Sequence, residues 1–166
     1  MFPPAAYAVI IFAAFLSVAY RDIRRNPRFY LLFSCFAVLC GFACDAVLVH
    51  LGLWTPFVTP QLLSVSWLDP LTYIPYIGTA FVLGNYFARR LGQNARLMHF
   101  AFGMLTGFLI DITSIALGFY RYSFTFPLAI AGVPLAVTVA EGVAVPMVIM
   151  VLLRISENSG RPYKPA

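Results

Sequence analysis

Three carboxylates interrupt apolar, helix-length stretches of this chain, Asp45, Asp111 and Glu141, and a fourth, Asp69, begins such a stretch. An acid inside a hydrocarbon layer is costly, so intramembrane acids tend to face a cavity or a partner and to have a task. Burial disfavours the charged carboxylate, and a group of this kind can donate a proton at neutral pH. Two such groups sharing a site divide into one acid and one base. Asp111 and Glu141 are the candidates for acid and partner, with Asp45 as the alternate. The structural alternative is that the acids cap helices, pair with Arg121 or His50, or bond Ser114, Thr113 and tyrosines. The two remaining acids, Asp22 and Glu157, lie among arginines and read as solvated charges.

Aromatic residues form the second constellation. Trp54, Tyr73, Tyr76, Tyr120, Tyr122 and Phe124 fall on the same side of the chain as the acids. Aromatic faces stabilise cations, which suits a carbocation formed by protonating an alkene; an interfacial aromatic belt is the plainer reading. Asp69 joins Trp54, Tyr73, Tyr76, Tyr120 and Tyr122 as a substrate-binding candidate. His50 and His99 lie too far apart in depth for one metal site, and no nucleophile elbow, phosphate loop or HExxH is present. Neither metal nor cofactor is expected. Cys35, Cys40 and Cys44 lie on one span and read as small buried residues rather than as a disulfide framework.

The elements that must position these residues follow from composition. The chain is 61% hydrophobic, 16% aromatic and 10% charged, with a mean hydropathy of +0.87. A soluble domain of this size needs more polar surface, and apolar runs of about twenty residues recur, enough to cross ~30 Å of hydrocarbon. The expectation is an all-α, polytopic transmembrane helix bundle of about five spans, with residues 1–155 as one domain and 156–166 as a polar cytoplasmic tail, rich in turn formers and disordered. The spans run from Ala5 to Tyr20, Phe29 to Leu51, Asp69 to Ala88, Met98 to Gly118 and Leu128 to Leu153. Pro56 and Pro60 break the chain between spans two and three, where Trp54 and Trp67 suit the interface, and Pro75, Pro134 and Pro146 interrupt spans three and five.

The net charge of +5 is carried by arginine clusters that alternate with the spans: Arg21, Arg24, Arg25 and Arg28, then Arg89, Arg90 and Arg96, then Arg154, Arg161 and Lys164. This distribution orients a membrane protein, with the N-terminus outside and the C-terminus in the cytoplasm, as in a bacterial inner membrane, and it excludes nucleic acid as a partner. Membrane lipid is the expected surrounding. A homo-oligomer or a larger membrane complex suits so small a bundle.

The segment GFLIDITSIALGFY, Gly107 to Tyr120, matches GFACDAVLVHLGLW, Gly41 to Trp54, without a gap at a spacing of 66 residues. The alignment sets Asp45 on Asp111, Gly52 on Gly118 and Trp54 on Tyr120. Downstream, a two-residue length change sets Pro70-Leu71 on Pro134-Leu135 and Gly78 on Gly142. This reads as an internal duplication of spans two-three and four-five. It places Asp45 and Asp111 on the order of 10 Å below the outer surface, at 1.5 Å per helical residue.

An intramembrane Asp, a G-x-aromatic turn, a G-x-P and a downstream acid together resemble the small membrane carotenoid cyclases, built from two homologous halves, and the carotenoid hydratases. The matching residues are Asp111, Gly118, Tyr120, Tyr122, the GVPL of Gly132 to Leu135 and Glu141, with Asp45, Gly52, Trp54 and Pro70 in the earlier half. Glu141 follows Pro134 by seven residues, whereas the cyclases tend to carry paired acids directly after that proline. The resemblance implies acid-initiated chemistry on a hydrophobic isoprenoid, without a metal, in a lipid-open cavity. Two other functions fit the same residues: a small binding or transport protein whose acids hold a solute or relay protons, and a non-catalytic subunit of a larger membrane complex.

Overall fold

The computed structural model of the protein describes residues 3–58, 61–62, 64–66, 68–123, 128–160 and 163. The expectations attached to Pro60, Trp67, Phe124, Arg161 and Lys164 lie outside the described residues. Five helices form the body: α1 (Pro4–Arg25), α2 (Pro27–His50), α3 (Asp69–Leu91), α4 (Ala95–Ala116) and α5 (Leu135–Asn158). The all-α bundle is therefore as expected. Helices α1, α2, α4 and α5 are each long and apolar enough to cross a membrane, so the protein is polytopic.

Helix α3 is the exception to the expected five spans, being long enough but not apolar enough. Thr72, Tyr73, Tyr76, Thr79, Asn85 and Tyr86 dilute its apolar residues. The physical reason lies in its position. It packs against α1, α2 and α4 together, and its buried face includes Tyr76, Ile77, Ala80, Phe81 and Ala88. A helix enclosed by other helices does not meet hydrocarbon and can carry polar side chains that a lipid-facing helix cannot. Pro75 lies within α3 and Pro146 within α5, and both helices continue through them.

Proline starts three of the helices at a position where the missing N–H has no intrahelical partner to lose: Pro4, Pro27 and Pro70. The basic loop expected after Tyr20 is almost absent. Helix α1 continues to Arg25, and Asn26 alone separates it from α2, its N–H donating to the carbonyls of Asp22 and Ile23. This changes the reading of Asp22, which is not a solvated charge: only 4% of its surface is exposed. Tyr30 donates to Asp22 Oδ2 at 2.7 Å and Tyr163 donates to the same oxygen at 2.6 Å. Tyr163 belongs to the tail expected to be disordered, yet its ring packs on Phe29 and Phe81. Burial and the neighbouring Asp22 carboxylate raise its phenol above the ordinary value, keeping it a neutral donor.

The opposite end of the bundle is closed by short antiparallel ribbons that the sequence did not lead us to expect. Strands β1 (Trp54–Pro56) and β4 (Tyr120–Tyr122) pair with Thr55 opposite Arg121. Strand β2 (Gln61–Leu62) pairs with β3 (Val65–Ser66), and β5 (Ala129–Ile130) with β6 (Val133–Pro134). The last hairpin corrects the expected start of the fifth span. Pro134 does not interrupt a helix; it caps one, and residues 128–134 turn back on themselves before α5 begins at Leu135.

Local hydrogen bonding repeats at the spacing read from the sequence. Leu51, Gly52 and Leu53 donate to the carbonyls of Val47, Val49 and Leu48, and Leu117, Gly118 and Phe119 donate to those of Thr113, Ile115 and Ser114. Gly52 at φ 69° and Gly118 at φ 75° supply the left-handed residue that ends each helix. Across the ribbon, Phe57 donates to the Phe119 carbonyl at 2.7 Å, and Ser123 donates to the Leu53 carbonyl at 3.0 Å. The second bond is the first with the two halves of the chain exchanged.

The core has two parts. Toward the arginine-bearing helix ends, Phe15, Phe29, Tyr30, Phe33, Phe81, Ile149 and Leu152 interlock. Under the ribbon, Tyr7, Trp54, Val58, Phe119 and Tyr120 form a second cluster. Lipid is as apolar as these side chains, so close packing rather than escape from water holds the helices together.

Candidate functional site

A cavity of about 550 Å³ lies between α2, α3, α4 and α5 beneath the β1–β4 ribbon. Its lining includes Asp45, Asp69, Asp111 and Glu141, together with Trp54, Tyr73, Tyr76, Tyr120 and Tyr122. Every residue named from the sequence as a catalytic or substrate-binding candidate thus borders one space. The wall carries four carboxyl groups and no Lys, Arg or His among the described residues.

The acids are held differently. Asp111, on α4, is buried and takes hydrogen bonds from two tyrosines of the next strand: Tyr120 donates to Oδ1 and Tyr122 donates to Oδ2 at 2.6 Å. Burial, and then the Asp111 carboxylate, push both phenols above their ordinary range, so they remain donors. Asp45, at the matching position of α2, is 4% exposed and accepts one bond, from Tyr73 to Oδ1 at 2.9 Å. Its Oδ2 has no partner among the described residues, nor have Glu141 Oε2, Asp69 Oδ2 and the Tyr76 hydroxyl. The structural alternative is thus met in part, because tyrosines do bond two of the acids. Arg121 and His50 do not: Arg121 stacks on Phe57, 5.6 Å from the ring centre, and His50 is exposed at the end of α2.

Two glycines of the repeated segment explain how Tyr73 and Glu141 reach the space. A methyl group on Gly41 would collide with the Tyr73 ring, and one on Gly107 would collide with the Glu141 carboxylate. Absence of a side chain on α2 and α4 is what admits these groups from α3 and α5. Gly41 and Gly107 are partners in the sequence match, and each makes room for one side chain of the cavity wall. The hairpins pair in the same way, Leu62 with Val65 in one and Ile130 with Val133 in the other.

Aromatic rings cover one end of the cavity. Trp54 and Tyr120 meet edge to face at 5.1 Å, Tyr120 and Tyr122 at 5.9 Å, and Tyr73 and Tyr76 at 5.9 Å. At the side the space opens between α2 and α5, where Ala43, Cys44 and Val47 face Ala140 and Ala144, all exposed. The cysteines depart from expectation here: Cys35 and Cys44 are exposed and Cys40 is half-buried. Small side chains on both edges keep this flank open toward the surroundings of the bundle.

Sequence reasoning missed Tyr7. From the first turns of α1 its hydroxyl bonds Thr113 Oγ1 at 2.6 Å and the Ile110 carbonyl at 3.2 Å, and its ring borders the cavity. A tyrosine near the start of an apolar first span carried no signal, because that span lies outside the matched segments. Among the described residues, no group of three His, Cys, Asp or Glu side chains is arranged to hold a metal ion. No protein-family model, no curated protein and no solved structure matches this chain, so the geometry of the cavity carries the functional reading alone.

Proposed function

We propose that the protein is an integral membrane enzyme that acts on an isoprenoid lipid by protonating an alkene, as a cyclase or a hydratase does. The observation that carries this reading is the company of the acids: four carboxyl groups and a wall of aromatic rings around one apolar, side-open cavity. Glu141, with a free oxygen, is the proton donor. Asp111 has both oxygens engaged by phenols and acts as the fixed acceptor facing the developing positive charge. Rings of Trp54, Tyr120 and Tyr122 lie where a carbocation would be shielded. In a cyclase a second alkene of the chain attacks the cation to close the ring, and Asp45 then takes a proton from the carbon beside the new cation, restoring an alkene. In a hydratase water adds to the cation and Asp45 takes the proton that the added water sheds. General acid catalysis of this kind contributes about 10²–10⁴-fold.

The same reading includes an origin by duplication of an α-helical pair, supported by the matching helix ends and the exchange of hydrogen bonds across the ribbon. It also sets the arginine-bearing end in the cytoplasm and the ribbon end outside. Reporter fusions after Arg28 and after Pro60 should then report opposite compartments; one compartment for both would end this topology.

The test of the chemistry is lipid extraction from membranes holding the parent or Glu141→Gln, with mass spectrometry of isoprenoids. The parent should contain product, and the variant, folded, should contain only unreacted alkene. Normal turnover by a folded Glu141→Gln protein would overturn the reading. A second reading, binding or transport of a cationic solute, is favoured by the absence of a basic side chain among the lining residues. It requires saturable uptake of an organic cation into proteoliposomes, lost in Asp45→Asn.

A further inference from the structure

The acids are not the only unpartnered polar groups on the cavity wall. Tyr76 is 7% exposed, and its hydroxyl has no hydrogen-bond partner among the described residues. On the same helix and one turn away, Tyr73 has the same phenol but spends it on Asp45. Three more wall atoms lack partners, all of them carboxyl oxygens: Asp45 Oδ2, Asp69 Oδ2 and Glu141 Oε2. A buried polar group left unpaired is costly, and a wall holding several is suited to a group that is donor and acceptor at once.

That requirement discriminates among ligands. A pure hydrocarbon satisfies none of these atoms. An ammonium group donates to carboxylates but offers no acceptor to a phenol O–H. A hydroxyl does both: its oxygen accepts from Tyr76 while its proton goes to Glu141 or Asp45. Building on the reading of the cavity as a site for an isoprenoid chain, we infer that Tyr76, Glu141 and Asp45 form a binding site for a hydroxyl oxygen. That oxygen is carried by the alcohol end of an isoprenoid or by a water molecule held beside an unfunctionalised chain. Both sources share one chemistry, and Tyr76 is the residue that selects it.

The protein in phospholipid nanodiscs, equilibrated with farnesol or with farnesene, separates the cases when retained probe is measured by mass spectrometry against protein-free discs. If the alcohol is the source, farnesol is retained about tenfold over farnesene, and Tyr76→Phe abolishes the preference, as expected for one buried hydrogen bond. If water is the source, the two probes are retained equally by the parent, and both fall together in Tyr76→Phe. Equal retention with no effect of Tyr76→Phe overturns the inference while leaving the acid chemistry to its own Glu141→Gln test. Retention of neither probe overturns both. Thermal unfolding supplies an independent check, since removing a hydroxyl that has no protein partner should not lower the melting temperature. A marked drop would mean that Tyr76 is engaged within the fold, and the inference would fail.

Discussion

Asp22 and Asp45 are equally buried, each 4% exposed, yet they do opposite things at opposite ends of the bundle. Asp22 is surrounded: Tyr30, Tyr163 and Asn26 all donate to it, and rings of Phe29 and Phe81 close over the cluster. Asp45 is half-satisfied, with one oxygen on Tyr73 and the other on a cavity. Burial alone therefore does not mark a carboxylate for chemistry. A saturated acid ties α1, α2 and the chain end together; an unsaturated one beside empty volume is available to something else.

Five substitutions would break or sharpen this contrast. The largest effect is expected for Glu141→Gln, with product in lipid extracts falling about 10²–10⁴-fold while the melting temperature holds. Gly107→Ala comes next. Its new methyl displaces the Glu141 carboxylate, and misplacing a reacting group by about 1 Å costs roughly 10²-fold; the same extracts measure it. Gly41→Ala is the control for the other half, moving Tyr73 rather than an acid, and should cost less.

Asp22→Ala should leave product per folded molecule unchanged and instead lower stability by about 1–3 kcal/mol for each buried donor it leaves unpaired. Denaturation in detergent would read this. Loss of activity without loss of stability would erase the distinction between the two ends. The smallest effect belongs to Tyr163→Phe, which keeps the ring packing and loses one hydroxyl, for about 1 kcal/mol in the same measurement.

Much of the candidate site was legible because its residues lie in a repeated segment. Asp45, Asp111, Trp54 and Tyr120 were matched by register alone, and a helix-length spacing set their depth. Asp22 was misread because its neighbours in the chain are arginines. The groups that desolvate it, Tyr30 and Tyr163, come from α2 and from beyond α5, and no local pattern announces them. The start of α5 was misplaced because residues 128–134 are as apolar as a span. Only the positive φ of Ala131 and Gly132 turns them into a hairpin. The polarity of α3 could be read from its letters; its explanation, enclosure by three neighbours, could not.

The ribbon over the cavity has a consequence for how the molecule can be divided. Its two strands come one from each half of the chain, and the halves join at the opposite end through Gly92, Gln93 and Asn94, all exposed. A chain cut at that joint yields two fragments, each holding one edge of the same lid and neither able to cover a cavity alone. Co-expressed, they should assemble one to one and co-purify. The unit of heredity here is a single polypeptide, but the unit of enclosure is a pair.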